Sequence, residues 1–378
     1  MKARVASQAL APAIEYASMT RLSRREALGL LGTTAGGGLL AFHGIRLAAQ
    51  APAFPRGAII RTLLKDVAPD AIKGSTLFHE HLSIRYPLTK ALATAQGRPV
   101  PASFTDDIDL MIEETKAAAT DGVGCIVDGG HPDMDRDLAA LTRIAAESGV
   151  PIVASGGYYM QRNYPPEIAA KTADQIADDL VRDAKAQRLG AFGEVGQQGG
   201  VLTDDERKVF TAVAKAQVQT GLPIFTHNPY LGAREMNPPI PMDAALKQLD
   251  LLEAAGADPR HVAIGHVCCI ADTTAAIPKQ LAKRGVFVGF DRVTIPIVPD
   301  AQKVSTILAF LEAGYADQLL LSSDFSTGRA LKRNGGPGIA QTATVFGPML
   351  LKAGVDEATL RRVLVDNPRR FLAHVPKG

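Results

Sequence analysis

From Thr76 onward the chain alternates between short apolar runs, rich in β-branched and aromatic residues, and longer stretches with apolar positions at helical spacing. The short runs predict strands at about 76–81, 125–128, 152–154, 191–195, 224–227, 262–266, 286–291 and 319–324. The longer stretches predict helices at 106–119, 137–147, 172–188, 204–220 and 242–255, one before Gly285, one at 304–313, and two after a Gly-rich loop at 325–340. Leu246, Leu249 and Leu252 share one face of the 242–255 helix. Thr105 is the expected N-cap of the 106–119 helix, whose first turn is acidic. Residues 54–75 lead in as a short hairpin or extended segment. Apolar strands separated by helices imply a parallel sheet covered by helices. Eight such units imply an α/β fold, a (β/α)8 TIM barrel forming a single domain over residues 54–378. An open doubly wound sheet is the alternative, but no Gly-x-Gly-x-x-Gly follows the first strand.

Residues 1–53 read differently. Arg21-Leu22-Ser23-Arg24-Arg25 precedes a weakly apolar, Gly- and Ala-rich run from Leu28 to Phe42, and small residues follow at Ala48-Ala49-Gln50-Ala51-Pro52-Ala53. A charged region, a short apolar region and a small-residue zone make a cleavable secretory signal. Ser23-Arg24-Arg25 resembles the bacterial twin-arginine signal, so the twin-arginine export machinery is an expected partner and the periplasm or the medium the expected location. Ala49, Ala51 and Ala53 are all candidate cleavage positions. The run is too short and too Gly-rich for a stable membrane span. A net charge of +2 over 378 residues, with many cations near the N-terminus, makes no case for nucleic acid or anionic membrane. Cys125, Cys268 and Cys269 form no disulfide framework and no structural zinc site, and read as small apolar fillers.

Candidate chemistry recurs at one place in each unit. His79 and His81 stand two apart on the first strand, so both project to one face, with Glu80 opposite. Neutral imidazole is a common ligand for divalent transition metals. Glu194, His227, His266 and Asp324 fall at the C-terminal ends of the fourth, fifth, sixth and eighth strands. In a barrel those ends converge on one mouth, where active sites lie. Taken singly, each has a plain structural reading: a helix cap for His227 or Asp324, a satisfied buried histidine for His266, an ion pair with lysine for Glu194.

Residues 74–82 (Gly-Ser-Thr-Leu-Phe-His-Glu-His-Leu), Ile264-Gly265-His266, Leu321-Ser322-Ser323-Asp324, Asp366-Asn367-Pro368 and Phe371 resemble the phosphotriesterase-like family of the amidohydrolase superfamily, in the family's order, over roughly Arg61 to Ala373. The resemblance implies two divalent metal ions, zinc first, with manganese, cobalt or iron as alternatives. It implies that His79, His81 and Asp324 hold one ion and His227 and His266 the other. The best-known phosphotriesterases carry a carboxylated lysine on the fourth strand to bridge the ions; here Glu194 stands, a carboxylate able to bridge directly. That substitution, with Leu331-Lys332-Arg333-Asn334-Gly335-Gly336, resembles the phosphotriesterase-homology and phosphotriesterase-related branch.

The expected activity is a binuclear metal-dependent hydrolysis of a carboxylic ester or lactone. A small N-acyl amine is the alternative, and phosphotriester cleavage at most a side activity. Two cations about 3.5–4 Å apart lower the pKa of a shared water, with Asp324 as ligand and proton carrier and Glu194 as bridge. No Gly-x-Ser-x-Gly elbow suggests a serine nucleophile. Arg292, after the seventh strand, is the candidate cation for an anionic group on a small-molecule substrate. Tyr158 and Tyr159 are candidates to line the pocket, His131 reads as a loop histidine, and Asp291 as a holder of a neighbouring loop. A homodimer is a candidate assembly. The contrasting reading is a metal-free binding protein on the same barrel.

Overall fold

The lead-in is a hairpin. In the computed structural model, which describes residues 53–85, 92–232 and 239–377, β1 (Ile60–Arg61) pairs antiparallel with β2 (Asp66–Val67). The transport signal expected over residues 1–53 lies, apart from Ala53, outside the described residues. Eight strands follow: β3 (Ser75–Glu80), β4 (Val123–Asp128), β5 (Ile152–Gly156), β6 (Ala191–Gly196), β7 (Ile224–His227), β8 (Val262–Ile264), β9 (Phe287–Phe290) and β10 (Leu319–Leu321). Neighbours in sequence pair in parallel from β3 through to β10, as βα units on one sheet require. Between β10 and β3 the ring is joined by specific groups. The N–H of His79 donates to Ser322 Oγ (3.0 Å), that of Asp324 to the His79 carbonyl (3.2 Å), and that of His81 to the Phe325 carbonyl (3.1 Å). The Glu80 carboxylate, facing away from the histidines as expected, accepts from Ser322 Oγ, Ser323 N and Oγ, and Phe325 N, at 2.7–3.0 Å. The result is a nearly closed, TIM-barrel-like α/β fold.

The barrel interior is a packed layer, not a pore. Phe78, Val127, Val153, Phe225, Phe287 and Leu320 meet inside it, and Phe371 from the last helix closes the end opposite the mouth. A second apolar layer lies between sheet and helices. Strand alternation alone would not put both Phe78 and His79 inside. The pairing of β3 with β4 slips by one residue between Leu77 and Glu80, a bulge that re-aims side chains. The pairing of β6 with β7 slips likewise between Phe192 and Val195, at Glu194. Both irregularities fall at candidate metal ligands.

Several boundaries differ from expectation. The helix expected over 106–119 is Ile108–Thr120, capped by Asp107, whose carboxylate accepts from Leu110 N (3.0 Å). Thr105 sits instead in a short turn, its hydroxyl bonded to the backbone of Ile84. Strands expected to run through His266 and Asp324 end at Ile264 and Leu321. Both residues have positive φ, 58° and 50°, because the backbone leaves the ladder there to turn its side chains toward the mouth. No helix among the described residues is long and apolar enough to cross a membrane.

Candidate metal centre

Six side chains from five different strand ends meet at the mouth. His79, His81, Glu194 and Asp324 each bring one ligand atom within 4.8 Å of the others, and Glu194, His227 and His266 do the same. All are buried, none more than 6% exposed. Glu194 belongs to both groups: Oε1 faces the first, while Oε2 faces the second and also lies 3.5 Å from His79 Nε2. Oε1 lies 3.3 Å from His81 Nε2, while Oε2 lies 2.7 Å from His227 Nδ1 and 3.3 Å from His266 Nε2. Asp324 Oδ1 lies 3.2 Å from His81 Nε2.

Asp291 organises the cluster from behind. Its carboxylate takes His79 Nδ1 at 2.9 Å and His266 Nδ1 at 3.0 Å, together with the His266 backbone N–H at 2.6 Å. Each ring thereby turns Nε2 toward Glu194, the arrangement in which a carboxylate fixes a ligating imidazole. The loop-holding role read from sequence understates this residue. Its place at the C-terminal end of β9 was the available signal. Gly129, at the end of β4, leaves the space the rings need: a Cβ there would lie 3.0 Å from His79 Cδ2 and 3.2 Å from His81 Cε1.

The electrostatics call for added positive charge. Burial opposes charge on every group, yet Glu194 and Asp291 hold His79 well above the usual imidazole range. His81, desolvated but bonded to Asp324 and Glu194, is raised to about 9. His79 Nε2 is buried 3.5 Å from Glu194 Oε2, too far for a good hydrogen bond. Carboxylate and imidazole donors of this number suit divalent first-row metals, and metal uptake would replace the protons these rings retain. The residues present therefore fit a metal pair.

The expected substrate contacts are placed unequally. Tyr159 is 8% exposed and packs edge-on to His227, ring centroids 4.8 Å apart. Tyr158 turns away toward the Tyr164 ring (6.0 Å), and burial with Asp179 and Asp183 nearby lifts its hydroxyl to about 12. Of the two, Tyr159 is the one that stands beside a candidate ligand. Arg292 reaches the cluster, but as a partner of a candidate ligand, its Nε donating to Asp324 Oδ2 at 2.9 Å. His131 is buried at the end of β4 with Nδ1 against Asp133 (3.2 Å). Cys268 and Cys269 are free thiols in the turn after His266, their sulfurs 3.9 Å apart.

The sequence signature of the phosphotriesterase family matches residues 60–372. The chain belongs to the phosphotriesterase family. Its relatives include the phosphotriesterase homology protein of Escherichia coli, 29% identical over 305 residues that span 79% of this chain and 97% of that protein. The N-acetyltaurine hydrolase of Bos taurus is 27% identical over 83% of this chain and 97% of its own length. Among solved structures, the lactonase Lmo2620 from Listeria monocytogenes superposes with a TM-score of 0.69 at 25% identity, over 83% of this chain and 98% of that one. Family members of this type are binuclear metal-dependent enzymes, so this phosphotriesterase-family chain is a metal-dependent hydrolase.

Proposed function

We propose that this chain hydrolyses a carboxylic ester or lactone that carries an anionic group, using two divalent metal ions. His79, His81 and Asp324 would hold one ion, His227 and His266 the other, and the two oxygens of Glu194 would serve both. When bound, such a pair, zinc being the first choice, would make a water acidic enough to attack at neutral pH and would act as a Lewis acid toward the substrate's carbonyl oxygen. The protein's own groups supply the rest. Asp324 takes the proton of the attacking water and returns it to the leaving oxygen. Tyr159 walls the site beside His227, and Arg292 offers a cation for the substrate's anionic group.

The observation that carries the reading is the 2.9 Å bond from Arg292 to Asp324. Burial opposes the charge on Asp324, but His81 and Arg292 hold its carboxyl below the usual range. So held, Asp324 stays ionised, as a metal ligand must, and as a weak base it can take a proton only from a water made acidic by bound metal. An amide nitrogen must be protonated to leave, whereas an ester or lactone oxygen is the better leaving group, so an ester or lactone is the easier bond for such a site to cleave. The second reading, hydrolysis of a small N-acyl amine, is supported by the N-acetyltaurine hydrolases among the relatives. Glu194 in place of the bridging lysine leaves phosphotriesters as a side activity, and a metal-free binding role would leave this donor set without purpose.

The test is a screen of metal-reconstituted protein against matched lactones, aryl esters, N-acyl amines and phosphotriesters. Higher kcat/KM on esters or lactones is expected. Preference for N-acyl amines would move the chain to the second reading, and no turnover of any class would overturn the proposal. We also propose export by the twin-arginine route, supported by Ser23-Arg24-Arg25 and the small-residue zone after it. Residues 1–53 fused to a reporter should deliver it to the periplasm, and Arg24→Lys with Arg25→Lys should retain it in the cytoplasm.

A further inference from the structure

Lys303, the fourth residue of the helix Asp300–Glu312, is fully buried. A lysine in that position carries a large desolvation cost unless each of its three N–H groups finds an acceptor. Each does. Nζ donates to the Arg292 carbonyl (2.7 Å), the Ile295 carbonyl (2.7 Å) and Asp300 Oδ1 (2.8 Å). The same Asp300 oxygen accepts the N–H of Thr294 (3.0 Å), whose backbone is held at φ 67°, unfavourable for a β-branched residue. The ammonium is thus the centre of a knot that fixes the turn after β9.

That turn begins at Arg292, the residue whose side chain reaches Asp324. On its other side the Arg292 N–H meets Cys268 Sγ at 3.4 Å, and the Val293 N–H meets the Ser322 carbonyl at 3.3 Å. Among the described residues, the Lys303 contact is the one charge-assisted bond to the Arg292 backbone itself. We infer that Lys303 is a positioning residue that sets the guanidinium of Arg292, and with it the site's preference for an anionic substrate. This rests on the role proposed above for Arg292. Lys303 bonds to the Arg292 and Ile295 carbonyls and to Asp300, and acts through the Arg292 carbonyl it holds.

The test compares 4-nitrophenyl hemisuccinate, which carries a carboxylate, with neutral 4-nitrophenyl butyrate, in wild type, Lys303→Met, Arg292→Ala and the double variant. Lys303→Met should lower the anionic-to-neutral ratio of kcat/KM about tenfold or more through KM, as a displaced binding group does, and the double variant should be no worse in that ratio than Arg292→Ala. If Arg292→Ala lowers the ratio and Lys303→Met leaves it intact, the positioning role is overturned while the reading of Arg292 stands. If Arg292→Ala leaves the ratio unchanged, both are overturned. A readout independent of turnover is the Nε–H resonance of Arg292 in 15N-arginine-labelled protein with metal bound. Its protection from exchange should be lost in Lys303→Met, and a retained signal overturns the inference. Should Lys303→Met fail to fold, Asp300→Asn, at a side chain 24% exposed, loosens the same knot from outside and is expected to move both readouts in the same direction.

Discussion

At the scale of single residues, the centre depends on carboxylates that cannot be exchanged for amides of the same shape. Glu194→Gln keeps the volume but offers one neutral oxygen where two charged ones now face His81 on one side and His227 and His266 on the other. Metal content should fall from about two ions per chain and activity should be lost. Full occupancy with normal turnover, by elemental analysis and kinetics, would sink the bridging role. Asp291→Asn tests orientation instead of ligation. Losing a carboxylate that fixes two imidazoles should weaken metal affinity by about 10–100-fold, measured by competition with a chelating dye, with the far-UV spectrum unchanged. Asp324→Asn should bind metal more weakly and retain little turnover, and a fully active variant would assign proton transfer elsewhere.

At the scale of elements, the two ends of the barrel domain are tied together by a bridge that senses acid. Ile59 and His374 exchange backbone hydrogen bonds at 2.9 and 3.0 Å, and the His374 ring donates from Nδ1 to the Leu372 carbonyl at 3.2 Å. Burial holds that imidazole down to about 4. Between its folded value and the ordinary 6.5, the unfolded chain binds the proton and the folded chain does not. The contribution is therefore intact above pH 6.5 and is lost as pH falls toward 4, by an amount of order 3 kcal/mol at most. His374→Phe should flatten that part of the stability curve in urea titrations at pH 4–7. An unchanged slope would show that other groups carry the acid sensitivity. The seam between β10 and β3 is the other element-scale device. Glu80 takes four donors there, and burial still lifts it to about 7. A carboxylate in this position links the strand carrying His79 and His81 to the turn carrying Asp324.

At the scale of the whole molecule, metal and fold are coupled. Removing the ions leaves Glu194, Asp291 and Asp324 together in a buried space, with the raised imidazoles of His79 and His81 and the Arg292 guanidinium to offset them. Chelation should therefore lower Tm, and re-addition of zinc should restore it. A free concentration 1,000 times Kd corresponds to about 4 kcal/mol per site. An unchanged Tm after complete metal removal would mean that the ligands are preorganised without electrostatic strain.

Much of this architecture was legible in the order of residues. Apolar runs alternating with helical periodicity determine eight βα units, because strand and helix periods are local properties of the chain. Where those strands end, the residues left over are His79, His81, Glu194, His227, His266 and Asp324, and barrel topology alone brings such ends to one mouth. What periodicity could not determine was contact between distant strands. The bulges that set His79 and Glu194 inward are differences in register between neighbouring strands, invisible within either one. Asp291 binds rings from two other strands, Glu80 finds its donors 242–245 residues away, and Arg292 meets a carboxylate where a free cation was expected. Tyr158 and Tyr159 look equivalent in sequence, and only the direction of the backbone after β5 separates them. The sequence by itself determined which groups reach the mouth. The tertiary structure decided which of them touch, because hydrogen bonding and desolvation act across space between residues that local pattern does not relate.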